Sequence, residues 1–570
     1  MTSEQPRSMS MTDAEVIAHC RAGTLIRELH RPASTTMQEQ LHSHLAVLHN
    51  SQSIDLLALS ATPEFQGLDR RYSFTIQQVY RNVIPQLKAA PPVMLELIHR
   101  IEKQIGGIAI LPRDALRIWI GQSQERAKEI VEMARSDPAF DREILADALI
   151  ALGDETAATS FIAPTDARRQ GAIAALGAIK PRNMETADGT LARLVAIVVG
   201  DPDEDVRFTA IFAAFDLLAR RETPAPKWIS ALIDAVTAKP SDTTRTALLN
   251  GLLRHAELFP SADVEAVLSL VCEGDLTADR LIDMLRTTLY SLIGGSHHDQ
   301  AIDCLTMLLA SSDRAMPFDR LEMLEHRLTT LERPVLFSIA ARWFATGDEA
   351  LCQTTSKLVG VIHDQRPFDA SLEGFGLTGS QMIVLCHKAV GYMPLAPIVA
   401  ASFVIAALRA GDKDAEPELV QLLFQALLIN FRETIAGYLK KIGKADAAYG
   451  PVRAALKLYR RYEKDADIKD PIKELQPSAY QRAVVRQNHY ISNREIRKQA
   501  ERQSVFFGMV HRSTLLYGRK AITYARGADE PPTSMELKEV GSSIEMPRLQ
   551  TIDPVGFAWL YHVYRLSRPK

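Results

Sequence analysis

Three arginines, Arg169, Arg207 and Arg245, stand 38 residues apart, and each opens a run rich in alanine and leucine. On one frame, Arg169-Gln170-Gly171-Ala172-Ile173-Ala174-Ala175-Leu176 lies over Arg207-Phe208-Thr209-Ala210-Ile211-Phe212-Ala213-Ala214 and over Arg245-Thr246-Ala247-Leu248-Leu249-Asn250-Gly251-Leu252. Further apolar runs, Leu191 to Val199 and Trp228 to Thr237, end at breakers that keep the same register, Asp201-Pro202 and Lys239-Pro240. A period of this length is one pair of helices. A pair that buries a single stripe cannot hold itself together, so the pattern implies neighbours stacked on a shared core. The chain is organised around this stretch, from Asp137 to Glu257.

Alanine and glycine at the inner positions let helices approach closely. Asp205-Val206-Arg207, followed by Ala210, Ala213 and Leu217-Leu218, resembles the HEAT repeat, as does Asp137-Pro138 through Arg142 to Ala148-Leu149. The resemblance implies an α-solenoid with a concave partner-binding surface, and a ladder of aspartate and arginine between repeats, here carried by Asp205 and Arg207. Ala167 and Thr243 replace the aspartate in the other two frames, so a continuous ladder does not follow. The expected fold is mainly α, a HEAT-like α-solenoid with a small α+β C-terminal module. Residues 1–110 form an irregular helical cap, 111–464 the repeats and 478–570 the module.

With 570 residues, 46% hydrophobic and 24% charged, the chain has material for more than one domain. A net charge of −3 gives no global attraction to nucleic acid or acidic membranes, so any such affinity has to be local. The five cysteines, Cys20, Cys272, Cys304, Cys352 and Cys386, contain no Cys-x-x-Cys pair and read as reduced core thiols of a cytoplasmic protein. Met1 to Thr12 lacks the apolar middle of a secretory signal. Ala389 to Leu408 is uncharged and long enough to span a bilayer, but Pro394, Pro397 and Gly391-Tyr392 divide it into two shorter buried helices.

No cofactor or metal is expected. His42 and His44 lie two apart on a helix that also carries His49, and so point in different directions. His297-His298-Asp299 are neighbours in a loop, where convergence on one ion is rare. Gly374-Phe375-Gly376-x-x-Gly379 nominally fits a dinucleotide fingerprint, but no strand precedes it, and Arg366 to Ser380 reads as a loop or lid. Thr12-Asp13-Ala14-Glu15 caps a first helix, and Leu111-Pro112-Arg113-Asp114 opens another toward Met133.

The tail changes character after the proline-bearing stretch Asp465 to Pro477. Between Tyr480 and Arg526 ten cations face only Glu495 and Glu501, with aromatics interleaved. Arg482, Arg486, Arg494, Arg497, Lys498, Arg502, Arg519 and Lys520 are the expected contacts to phosphates or to an acidic partner. Strands are expected at Val505 to His511, Ser513 to Leu516, Ala521 to Tyr524, Met535 to Val540 and Ile544 to Met546, closed by a helix from Val555 to Leu566. No catalytic residue is assigned. His489 and His511, with Arg486 and Arg519 as anion stabilisers, lead the candidates, but no nucleophile turn or carboxylate pair accompanies them. The leading expectation is a scaffold or adaptor that binds a protein through its repeats and its basic module. A nucleic-acid-associated subunit and an enzyme with a site between module and repeats stand as alternatives.

Overall fold

The computed structural model describes residues 11–30, 35–310, 318–360, 365–467, 478–503, 512–517, 520–525, 533–536 and 545–568. The described chain is almost entirely α-helical, with successive helices packed in a repeat-like manner. It divides into two compact units, Met1–Cys304 and Leu305–Lys570.

The first unit begins with a helix, Asp13–Arg21, whose Thr12 and Glu15 form the expected capping box. Further helices, among them Thr35–Asn50, Ser73–Val83 and Pro91–Ile105, surround Leu45, Tyr80, Met94 and Ile101, all buried. The helix expected from Leu111 to Met133 is two helices, Ile110–Gly121 and Gln124–Ser136. The Ser123 hydroxyl accepts from the Arg126 N–H and so starts the second one.

The regular array follows. Its helices are α1 (Arg142–Leu152), α2 (Arg169–Ala178), α3 (Met184–Gly200), α4 (Glu204–Ala219), α5 (Pro226–Ala238), α6 (Asp242–Arg254), α7 (Ser261–Cys272), α8 (Asp279–Ile293) and α9 (His298–Leu309). Helices α1, α2, α4, α6 and α8 pack each on the next in one row, and α3, α5 and α7 form a second row against them. Side-chain oxygens of Asp141, Asn183, Asp203 and Ser241 accept N–H bonds at the starts of α1, α3, α4 and α6 and fix where each begins.

Two features hold the row. The first is close approach: a Cβ on Gly171 would lie 1.9 Å from the Arg142 carbonyl oxygen, and one on Gly177 would lie 2.4 Å from the Ala213 Cα. At Gly251 the ring of Phe215 fills the place of the missing side chain. The second is a chain of arginines that reach forward to the cap region of the next pair. Arg113 bridges Glu102 and Asp141, Arg169 bonds Asp201 and Asp203, and Arg207 donates to the Lys239 carbonyl at 2.7 Å. Arg245 continues this toward the Leu270 carbonyl at 3.0 Å. Arg207 is buried, whereas Asp205 is exposed, and the carboxylates that receive the preceding arginine are Asp201 and Asp203.

In the second unit, Arg333–Thr346 and Glu349–Val359 precede α10 (Gly379–Tyr392) and α11 (Pro397–Arg409). The uncharged stretch is split between α10 and α11 with a break at Met393 to Ala396, and α11 is buried on nearly every side. Among the described residues no helix is long and apolar enough to cross a membrane. The unit ends with α12 (Ala479–Gln503), α13 (Arg548–Ile552) and α14 (Pro554–Leu566).

The expected α+β module is not present. Residues 479–503 are one long helix, and the final helix does not close a sheet but packs on α10. The described strands amount to one short antiparallel meander, β1 (Arg512–Tyr517), β2 (Lys520–Ala525) and β3 (Thr533–Glu536). The expected strand Val505 to His511 lies outside the described residues. The physical reason is that the aromatic face of α14, with Tyr561 and Tyr564, is buried against helix, so the segment belongs to the helical packing.

Two outcomes follow from this packing. Gly177→Ala places a methyl group into the Ala213 backbone and is expected to lower stability in urea unfolding by about 1–3 kcal/mol. Gly189→Ala, with nothing within 4 Å, is expected to raise it by about 0.5–1 kcal/mol. His42 supplies the second outcome. It is buried, its Nδ1 lies 2.8 Å from the Asn82 amide nitrogen, and burial pushes its pKa down to about 4. Between pH 6.5 and 4 the unfolded chain binds a proton that the folded chain refuses, so stability falls with acidification by up to about 1.4 kcal/mol per pH unit. His42→Gln is expected to remove that part of the slope in urea melts across this range.

Candidate functional site

The C-terminal helices are held by polar anchors. The Lys388 ammonium, buried in α10, donates to the Arg565 carbonyl in the last turn of α14, and the Arg565 guanidinium returns a bond to the Gly391 carbonyl at 2.7 Å. A cation at a helix C-terminus is favoured by the exposed carbonyl dipoles. Burial pulls the Lys388 pKa down from its ordinary value. His387 stacks on Tyr564 and lies 3.0 Å from the Ser567 hydroxyl. Gly391 sits where a Cβ would meet the Arg565 backbone nitrogen at 3.1 Å.

Asn430 and Glu545 complete the attachment. Asn430, buried after the π-helical turn Leu423–Leu428, takes the Leu549 N–H on its side-chain oxygen and the Arg548 N–H on its carbonyl, each at 3.0 Å. Its amide donates to the Ala426 carbonyl, so both side-chain polar atoms are satisfied. The Glu545 carboxylate accepts from the N–H groups of Glu433 and Thr434. These groups cap the start of the Arg432–Leu439 helix, where an anion is favoured.

What these anchors leave uncovered is apolar. On α14 the side opposite the buried tyrosines carries Val555, Trp559, Val563 and Leu566, spaced four, four and three apart and therefore on one stripe. Trp559 is 66% exposed and Val555 78%. Beside them Tyr480, Val484 and Val485 of α12 and Met546, Ile552 and Pro554 line a mainly apolar cleft of about 630 Å³.

Every side chain described along α12 is exposed, Arg482, Arg486, Arg494 and Lys498 among them. None of these four has a carboxylate partner among the described residues. Arg482 and Arg486 line the same cleft as Tyr480, Val484 and Val485, so its α12 wall carries both apolar and cationic side chains. Arg497 and Arg502 lie on the same helix and Lys520 on β2, with side chains outside the described set. Arg519 and His511 lie outside the described residues, as does the side chain of His489.

The other sequence features separate in space or are already bonded. His44 contacts Asp13 at 2.6 Å, and His49 accepts from the Leu56 N–H. His297 and His298 donate to the carbonyls of Ala256 and Ile293. Among the described residues no three such side chains gather as a metal set. In the glycine loop, Gly374 and Gly376 adopt positive φ, while the Asp412 carboxylate stands where a Cβ of Gly379 would point, at the start of α10. An acid there opposes a bound phosphate. Residues 365–369, ahead of these glycines, line a cleft of about 1040 Å³ in which Arg409 is held by Asp369 and Asp446.

No protein-family model matches the chain, and no curated protein matches it. Among solved structures it is similar to the crystal structure of an engineered protein, at 13% identity over 79% of this chain and 99% of that one, with a TM-score of 0.28. A likeness that loose carries no argument.

Lys388, Asn430, Glu545 and the α14 stripe escaped sequence reasoning. A lysine within an apolar helical run is the one signal that was available for the first. Lys388→Met leaves the Arg565 carbonyl without its donor and is expected to weaken the attachment of α14 by about 1–3 kcal/mol. Hydrogen exchange checks this: residues 554–566 should exchange faster while α2 and α4 keep their protection. Unchanged exchange in α14 would refute the anchor.

Proposed function

We propose that the chain is a protein-binding scaffold, HEAT-like in its repeats, which receives an acidic amphipathic helix on the surface formed by α12, α13 and α14. The observation that carries this is α12 itself. A helix of 25 residues draws most of its stability from packing an apolar face, and this one exposes every described side chain along its length. Its missing neighbour has a stated chemistry. Six cations against Glu495 and Glu501 favour an acidic partner, and the apolar cleft and the α14 stripe favour one that is also amphipathic.

The partner's apolar residues would enter the cleft beside Val484 and Ile552 and cover Trp559. Its carboxylates would meet Arg486, Arg494 and Lys498 at the rim. Buried aromatics with an arginine rim are the usual centre of binding energy, so Trp559 is the expected hot spot. Arg482 and Arg486, without a carboxylate partner among the described residues, also suit a phosphate backbone, which gives a second reading with a different salt response.

Affinity capture from source cells with the wild-type chain, Trp559→Asp and Arg482→Glu/Arg486→Glu, followed by cross-linking mass spectrometry, tests this. One acidic protein should cross-link to α12 or α14 and fall at least tenfold with Trp559→Asp. Capture that ignores Trp559 would overturn the reading. Binding to short duplex or single-stranded DNA or RNA that falls steeply with salt and is lost in the double arginine variant would replace it with the phosphate reading.

A further inference from the structure

Cys272 is the last residue of α7 and Cys304 lies within α9, and their Sγ atoms are 3.6 Å apart. The residues are 32 apart in sequence and no Cys-x-x-Cys motif marks them. We propose that Cys272 and Cys304 are a peroxide-sensitive dithiol that closes to a disulfide between α7 and α9. Bond formation needs the sulfurs about 1.6 Å closer, within reach of side-chain rotation and small helix shifts.

The two thiols are unequal in a way that assigns their roles. Cys272 is partly exposed, and the Cys304 thiol donating to it lowers its pKa, which makes it the attacking sulfur. Cys304 is buried with its pKa raised, as suits a resolving thiol. Cys20, Cys352 and Cys386 are buried singly, and burial pushes each of their pKa values up, Cys352 to about 12. A metal reading of the pair fails because no third ligand joins it among the described residues.

The chemistry balances with hydrogen peroxide as the oxidant. The Cys272 thiolate attacks one peroxide oxygen, the O–O bond breaks, and hydroxide leaves to take up a proton as water. Cys272 is then a sulfenic acid. The Cys304 sulfur displaces its hydroxyl, the S–S bond forms, the S–O bond breaks, and the Cys304 proton leaves with that hydroxyl as a second water. Two thiols lose two electrons in total, and one peroxide is reduced to two waters.

The test uses the full reduced chain treated with hydrogen peroxide, then denatured, alkylated and peptide-mapped by mass spectrometry. Two of the five cysteines should escape alkylation, in one cross-linked peptide pair containing Cys272 and Cys304 and reversed by dithiothreitol. The oxidised chain should melt a few degrees higher, since closing this loop restricts the unfolded state. In Cys304→Ser, Cys272 should stop at the sulfenic acid and be trapped by dimedone. All five thiols alkylated in the wild type, or Cys272 carried to sulfinic acid with Cys304 still alkylated, would overturn the proposal. The wild-type map decides this even if a variant misfolds.

Discussion

Backbone-to-backbone approach between α1 and α2 and between α2 and α4 is the constraint on which the first unit depends. Gly171 against the Arg142 carbonyl and Gly177 against Ala213 leave no room for a methyl group, so the helix axes are set by main chain as much as by side-chain size. Such contact makes the row stiff.

The arginine chain answers a problem that this closeness creates. Helix starts crowded between neighbours carry N–H groups and carboxylates that lose water, and an unpaired buried charge is costly. Arg169 serves Asp201 and Asp203 together, and Arg207 serves a carbonyl of the breaker Lys239-Pro240. The guanidinium fork suits this position because it donates in several directions from one plane. Arg169 and Arg207, 38 positions apart, thus tie their pairs to the breaker or cap of the next.

How much of this was legible depended on whether the signal was local. The 38-residue frame, the capping box at Thr12 and the split of Ala389 to Leu408 are near-neighbour patterns, and each element stands close to where the sequence put it. The acidic end of the ladder was read onto Asp205, while Asp201 and the N-cap residue Asp203 bear the contact, because the loop and cap geometry rather than motif position aims the carboxylates. The α+β module failed for a related reason. Alternation after Ser504 was extended to a closing helix whose partner, α10, lies some 170 residues earlier, and nothing local in Val555 to Leu566 reveals which surface it covers. Likewise the basic residues were legible as a charge surplus, whereas the apolar cleft beside them requires Met546 and Ile552 to stand next to Tyr480 and Val484.

The two faces of α14 bring these threads together. Its inner face is fixed by tyrosines, by Gly391 and by a buried lysine on the Arg565 carbonyl, a set that specifies one rotation of the helix about its axis. Slippage by a single residue would turn Tyr561 and Tyr564 away from α10 and break the bond to Arg565. A helix needed only to cover α10 could tolerate a polar outer side. This one carries Val555, Trp559 and Val563 there, where each large apolar side chain left in water forgoes about 1.5–3 kcal/mol of burial. The anchors therefore hold that apolar stripe in a defined orientation beside the cleft and α12, and a preoriented surface loses less entropy when it is covered than a mobile one. Lys388 and Gly391 of α10 fix the inner face of α14, and the thirteen residues of α14 itself supply the exposed apolar one.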